Sequence, residues 1–443
     1  MSDNEEKRTA GEAGWYPSCY NLAASLPGTE RIGIANLFRA DFSDYDPGEA
    51  YLLSVAETLP EDHPILERFQ KHGLIVDFDE RAALKKMGDD FRRGTETVTL
   101  TICTTMRCNF DCPYCFELHS GVDMSARVQG EVEALAERMI HTFHAKKLHV
   151  IWFGGEPLLA PDVIWRLTEK FRDLTDRTNI RYSAGIITNG YLLTQKLLDR
   201  LSESSVGYGI IALDGVGEKH DRTRHLKGGG GTFSNITENL RTLRIPFPVA
   251  IRQVITEDNL DQIEALSALI KNLATESGNL LQYSPDSCDW NNATDKRGAE
   301  VRLLQGDEAE KIGLRRDKYR FTAARGGYCG ACSLSSVDID AKGNLYKCWS
   351  EMDNIDGRSF GTAAEWDPAD PIKTASDPEQ LSRYLDTALG DLDEECRECM
   401  WLPLCVQGCP YYRVNIGKCC LPYKDRPDEY IRALYERMME AHR

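Results

Sequence analysis

Residues 108–117 read "CNFDCPYCFE" and set Cys108, Cys112 and Cys115 at C-x3-C-x2-C, beside an aromatic and an acid. Three thiolates cannot pair off as disulfides, and they do not close a four-coordinate site by themselves. Soft sulfur ligands suit zinc or an iron–sulfur cluster. Zinc would need a further protein ligand, and His119 stands shortly after Cys115. A cluster held by three cysteines would instead leave one iron open to an outside ligand, which is a catalytic arrangement.

A second group of cysteines follows residue 325: Cys329, Cys332 and Cys348, then Cys396, Cys399, Cys405 and Cys409, then the adjacent pair Cys419 and Cys420. CxxC pairs of this kind suit zinc ribbons or two four-cysteine iron–sulfur sites, and spacing does not choose between them. Cys19, Cys103 and Cys288 stand apart and read as small buried hydrophobes. The polar opening "MSDNEEKRTAGEAGW" has no signal-peptide core, so the expected location is cytoplasmic, where thiols stay reduced and 15 cysteines point to metal. The net charge of −17 argues against a nucleic-acid partner. No apolar run reaches the roughly 18 residues of a membrane span.

The elements that must position these thiols alternate between strand and helix periods from residue 97 to 285. "TVTLTIC" (97–103) puts Val98, Leu100 and Ile102 on one face and leads into the cysteine loop. "LHVIWFGG", "RYSAGIITNG", "GYGIIALDG", "PVAIRQVIT" and "LLQYSP" follow, with helical patterns such as 161–174 and 259–273 between them. Six strands with helical crossovers predict an α/β fold with a parallel sheet curled into a partial or full barrel. Chemistry then belongs at the C-terminal strand ends, where the cysteine loop, "GGEP", "TNG" and "LDG" fall. Residues 1–95 predict a small α+β module with a strand pair, two helices and a short strand. The polar segment after 285 reads as a linker. The expected divisions are 1–95, a barrel over 96–310, and a cysteine-rich region over 311–443 that ends in a helix.

"CNFDCPYC", "FGGEP" (153–157), "ITNGYLL" (187–193) and "ALDGVGEKHDRTR" (212–224) together resemble the motifs of radical S-adenosylmethionine (SAM) enzymes, in their usual order. The resemblance implies a partial (β/α)6 radical SAM barrel. Cys108, Cys112 and Cys115 would bind three irons of a 4Fe–4S cluster, and SAM would chelate the fourth. It also implies that Gly154 and Gly155 bring the backbone close to the methionyl amine, which Glu156 would accept. Asn189 would reach the ribose hydroxyls and Tyr114 would pack on adenine. Arg224 or Arg252 would meet the SAM carboxylate. The plainer alternatives are a helix-capping acid for Glu156 and a turn for Asn189-Gly190, and Asp214-Gly215 likewise reads as a turn without a catalytic role. His220 and Asp221 read as loop or helix caps.

The tail resembles the SPASM domain, which carries two auxiliary 4Fe–4S clusters. By that resemblance Cys329, Cys332, Cys348 and Cys409 hold one, and Cys396, Cys399, Cys405 and Cys420 the other. Cys420 is preferred to Cys419 because "CLPYK" matches the usual C-x-x-Y-K ending. Relatives of this kind act on peptides, so the resemblance implies an oxidoreductase that matures a ribosomally made precursor peptide by an oxidative cross-link: a thioether, C–C or C–O bond. The module at 1–95 would recognise the leader, and a flavodoxin or ferredoxin would supply electrons. One alternative is an anaerobic sulfatase-maturating enzyme, which usually has Asp directly after the cysteine matched by Cys348. Here Trp349 stands there, with Glu351 and Asp353 nearby. A non-catalytic zinc or iron–sulfur scaffold or electron carrier is the alternative of another class.

Overall fold

The computed structural model describes residues 14–255, 257–287, 328–354, 357–390, 392–418, 420–421 and 424–441. The linker reading for the segment after 285 falls mostly, and the Cys288 and Cys419 readings entirely, outside the described residues.

Six strands form the parallel part of one nine-stranded sheet: β1 (Thr97–Cys103), β2 (Lys147–Phe153), β3 (Arg181–Thr188), β4 (Val206–Ala212), β5 (Val249–Ile255) and β6 (Leu281–Ser287). They pair side by side in chain order, all parallel, as crossover connections require. The expected α/β parallel fold is what forms. β1 and β6 do not pair, so the barrel is partial. Instead β7 (Ser336–Ile339) joins the outer edge of β1 in parallel, with Ser336 opposite Thr99 and Ile339 opposite Ile102. The antiparallel strands β8 (Asn344–Tyr346) and β9 (Gly361–Thr362) complete the sheet.

The alternation seen in β1 has the expected consequence. Val98, Leu100 and Ile102 are fully buried under the covering helices, and Thr97 and Thr99 are half-buried on the other face. The covering helices are α1 (Ala126–Thr142), α2 (Pro161–Thr178), α3 (Gln195–Glu203), α4 (Phe233–Thr242) and α5 (Ile263–Ser277). Each starts where local chemistry permits. Ser125 caps α1 by accepting from the Val128 N–H, and Pro161 opens α2, which ends at Asn179 in the left-handed region.

The N-terminal region departs from expectation in two elements. A three-stranded antiparallel sheet (Asn21–Ser25, Ile32–Asn36, Asp41–Tyr45) replaces the strand pair. The third strand, "DFSDY", turns Phe42 and Tyr45 to opposite faces, each into a different apolar cluster, with Asp41, Ser43 and Asp44 beside them. A further helix, Glu80–Arg93, capped by Asp79, leads to β1. The sheet packs on the C-terminal helix α6 (Pro427–Ala441). Tyr20, Leu22, Ala35 and Leu37 share one apolar cluster with Leu84, Leu389, Trp401, Tyr430 and Leu434.

Candidate functional site

The loop after β1 carries the three cysteines, and the strand ends that follow close around it. Cys108, Cys112 and Cys115 are partly buried; the Cys115 N–H turns back to the Cys112 carbonyl at 3.0 Å. Burial pushes the Cys108 and Cys115 thiols up to about 12 and raises Cys112, an effect that Arg224 opposes at Cys112. Thiols so placed ionise readily only beside a cation. His119 Nε2 lies 3.6 Å from Cys115 Sγ. Among the described residues no three His, Cys, Asp or Glu side chains converge on a single metal ion. A four-iron cube engages its thiolates at separate corners and does not need that convergence.

Gly154 and Gly155, after β2, have a definite steric reason. A Cβ on Gly154 (φ +135°) would lie 2.4 Å from the Thr105 carbonyl oxygen, and one on Gly155 would lie 2.4 Å from that of Arg107. The glycines therefore let this turn lie directly against the cysteine loop, and Gly155 and Glu156 donate backbone N–H groups to those two carbonyls at 3.1 and 2.8 Å.

Glu156 is fully buried and ties two strand ends together. Oε1 accepts from the Leu158 N–H at 3.0 Å and the Thr188 hydroxyl at 2.7 Å, and Oε2 accepts from the Asn189 N–H at 2.7 Å. Burial raises its carboxyl to about 7, against the pull of these donors. Asn189 donates from Nδ2 to Asn109 Oδ1 at 2.8 Å and accepts the Tyr191 N–H at 3.0 Å, so the "TNG" turn is bolted to the cysteine loop. Two atoms here have no partner: Asn109 Nδ2 and Glu117 Oε2 are buried and unsatisfied. Buried polar atoms are ordinarily satisfied, so this pair of a donor and an acceptor beside the thiols fits a polar ligand such as the amino-acid end of SAM.

Asp214, after β4, is the residue that sequence reasoning undervalued. It has no exposed surface; Oδ2 accepts from the Tyr114 hydroxyl, from Arg224 Nε at 3.0 Å and from the Thr223 hydroxyl at 3.2 Å, while Oδ1 accepts the Val254 N–H at 3.1 Å. The Arg224 guanidinium lies 5.4 Å from the centre of the Tyr114 ring. Burial disfavours its charge, but Asp214 and its other neighbours hold its pKa above the ordinary value. The "LDG" after a strand was the available signal. Arg252 lies on β5 on the same face as Ala250 and Val254, opposite the buried Ile251 and Gln253. His220 accepts the Asp214 N–H at 3.2 Å, and Asp221 caps α4 through the Thr232 and Phe233 N–H groups, as the capping reading expects.

The segment after β8 reaches the same site. Trp349 stacks on Phe153 at the end of β2, with ring centroids 6.1 Å apart. Asp353 accepts the Ser120 N–H at 3.0 Å, and its carbonyl accepts the Leu118 N–H at 2.7 Å. Glu351 is buried, and its Oε1 accepts from Gln380 Nε2 at 2.9 Å.

Farther along, Cys396, Cys399, Cys405 and Cys420 line one cavity together with Glu395 and Lys424. Cys329, Cys332, Cys348 and Cys409 form a second neighbourhood. The Cys332 thiol is raised by burial and by the charges of Cys329 and Cys409, and burial and Cys329 act likewise on Cys348. None of the described cysteines forms a disulfide. Cys103 is buried as expected; Cys19 is exposed, because the turn before the first long N-terminal strand faces outward. Among the described residues no helix is long and apolar enough to cross a membrane.

Residues 102–270 match the family model described as the radical SAM superfamily. The chain is 27% identical over 184 residues to the radical SAM cyclopropyl synthase TigE of Paramaledivibacter caminithermalis, covering 38% of this chain and 37% of that one. The match thus spans well under half of that relative's length. It is 24% identical over 334 residues to the cysteine-type anaerobic sulfatase-maturating enzyme of Clostridium novyi, covering 68% and 84%. The solved structure of native anSMEcpe with bound AdoMet and Cp18Cys peptide superposes with a TM-score of 0.59 at 20% identity, over 78% of this chain and 98% of that one, a likeness of fold. Family match, fold and the three-cysteine loop agree, and the chain carries a radical SAM domain over residues 102–270, whose cofactors are SAM and a 4Fe–4S cluster.

Proposed function

We propose that the protein is a radical SAM maturase that abstracts a hydrogen atom from a ribosomally made precursor peptide and cross-links it oxidatively. The observation that carries this reading is the gathering of four strand-end motifs around Cys108, Cys112 and Cys115, with a separate cavity lined by four further cysteines. When bound, SAM and its cluster supply hydrogen-atom abstraction. The chain's own residues do the rest. Cys108, Cys112 and Cys115 hold the cluster, and Gly154, Gly155, Glu156 and Asn189 fix the wall against which SAM is held. Asp214 orients Tyr114 and Arg224, the first toward the adenine and the second, or Arg252, toward the carboxylate. Phe153 and Trp349 exclude water from the mouth.

The tail is read as a SPASM domain, with one auxiliary cluster on Cys329, Cys332, Cys348 and Cys409 and another on Cys396, Cys399, Cys405 and Cys420. Those clusters suit removal of a second electron toward a flavodoxin- or ferredoxin-type partner. The three-stranded sheet and helices before residue 95 supply the kind of strand edge that binds an extended leader. That anSMEcpe was solved with a peptide supports the substrate class.

Sulfatase maturation is the second reading, favoured by the length of the Clostridium novyi alignment. Against it, Trp349 replaces the usual acid and stacks on Phe153, and Glu351 is bound by Gln380. The deciding experiment is the mass of a candidate precursor peptide after anaerobic co-expression with the enzyme, with Cys112→Ala as control. A Cys112-dependent loss of two hydrogens is expected. An unchanged mass with deuterium uptake would replace cross-linking by epimerisation, and formylglycine on a sulfatase peptide would establish the second reading.

A further inference from the structure

Two cations reach sulfur at the cavity of Cys396, Cys399, Cys405 and Cys420. Arg413 Nη1 lies 3.7 Å from Cys396 Sγ, and Lys424 Nζ lies 3.8 Å from Cys420 Sγ. Both are held in place. Arg413 donates from Nη2 to Asp393 Oδ2 at 2.7 Å, and the other oxygen of that acid caps the Cys396 N–H at 2.9 Å. Lys424 is paired with Glu395, and its carbonyl accepts the Trp401 indole N–H at 3.2 Å. Lys418 bridges Asp393 at 3.1 Å and Glu395 at 2.5 Å. Three cations thus face two carboxylates, a net positive charge beside the thiols. The Arg413 side chain is only 16% exposed, so solvent screens it weakly.

On the reading that this cavity holds an auxiliary iron–sulfur cluster, we propose that Arg413 and Lys424 set its reduction potential, raising it above what four cysteines alone would give. Gaining one electron makes a thiolate-bound cluster more negative, so a cation on its ligand sulfur stabilises the reduced form more than the oxidised one. An N–H donated to sulfur acts in the same direction. The two residues approach different thiols and act in the same direction, and they are coupled through Asp393, Lys418 and Glu395.

The test is a redox titration of the full chain, reconstituted anaerobically with iron and sulfide and followed by electron paramagnetic resonance. Arg413→Gln and Lys424→Met are expected to keep the wild-type iron content. Each should lower the reduced-to-oxidised ratio of one centre at least about threefold at a fixed potential, ~28 mV at 59 mV per decade. The double variant should shift further, Lys424→Arg should stay near wild type, and the signal of the Cys108, Cys112 and Cys115 cluster should not move. Unchanged potentials in both single variants would overturn the proposal, as would an equal shift of every centre. So would loss of iron in both, which would make the cations part of the binding site. A Cys399→Ala/Cys405→Ala variant that keeps all its iron would instead overturn the cluster reading itself, a separable outcome.

Discussion

Asp214 bears more interactions than its place in a short turn motif suggests, and its removal should be costly. With Asp214 fully buried and the Arg224 side chain 13% exposed, Asp214→Asn leaves a guanidinium without its counter-charge. The expected loss is about 3–5 kcal/mol, measured by anaerobic denaturant unfolding of the cluster-free protein; a loss below about 1 kcal/mol would show that the pair is not the hub described. By contrast, Arg81 and Glu398 form a salt bridge at 49% and 55% exposure, and Arg81→Ala should cost under about 1 kcal/mol. Glu156 gives a pH dependence of defined sign. Its folded-state carboxyl is raised to about 7 from the ordinary 4.5, so the folded chain binds that proton more tightly than the unfolded one. Its contribution is full below 4.5 and falls as the pH climbs to about 7, then stays flat. Glu156→Gln should remove that part of the slope; an identical stability–pH curve for the variant would contradict the assignment.

Among the elements, the turn after β2 is the sharpest test of how the site is built. Gly155→Ala puts a methyl where the Arg107 carbonyl stands, so the cysteine loop must shift. We expect about 1–3 kcal/mol of destabilisation and weakened retention of iron at the first cluster, read by iron content after gel filtration. Full iron and unchanged stability would mean that the loop is slack. This contact was not legible in the sequence, where the glycines pointed to the ligand rather than to the cysteine loop. The strands themselves were legible, because β1 to β6 alternate or run apolar and stop at glycine or polar turns. The N-terminal strand "DFSDY" was not, since Phe42 and Tyr45 lie on opposite faces and leave no alternating pattern. The pairing of β7 with β1 was equally hidden, because nothing local in "SVDI" specifies a partner in the barrel. The cysteine spacings pointed to the thiol groups, whereas the brace at Glu156 and the hub at Asp214 depend on strand ends far apart in the chain.

For the molecule as a whole, the N-terminal module is part of the body rather than an appendage. Its Tyr20, Leu22, Ala35 and Leu37 share a core with Trp401, Tyr430, Ile431 and Leu434. Deleting residues 1–95 would expose that apolar face, and the remainder should aggregate or lose its C-terminal helix, visible by light scattering and circular dichroism. A monodisperse truncated protein of unchanged helix content would show that the shared core is dispensable. The sheet order has a further consequence during synthesis. β1 is complete early, yet β7, which covers its outer edge, leaves the ribosome roughly 230 residues later, which at about 5–20 residues per second is on the order of 10–50 s. For that time the nascent barrel carries a bare edge next to its cysteine loop, an opening for mispairing that closes only once the cysteine-rich tail has been made.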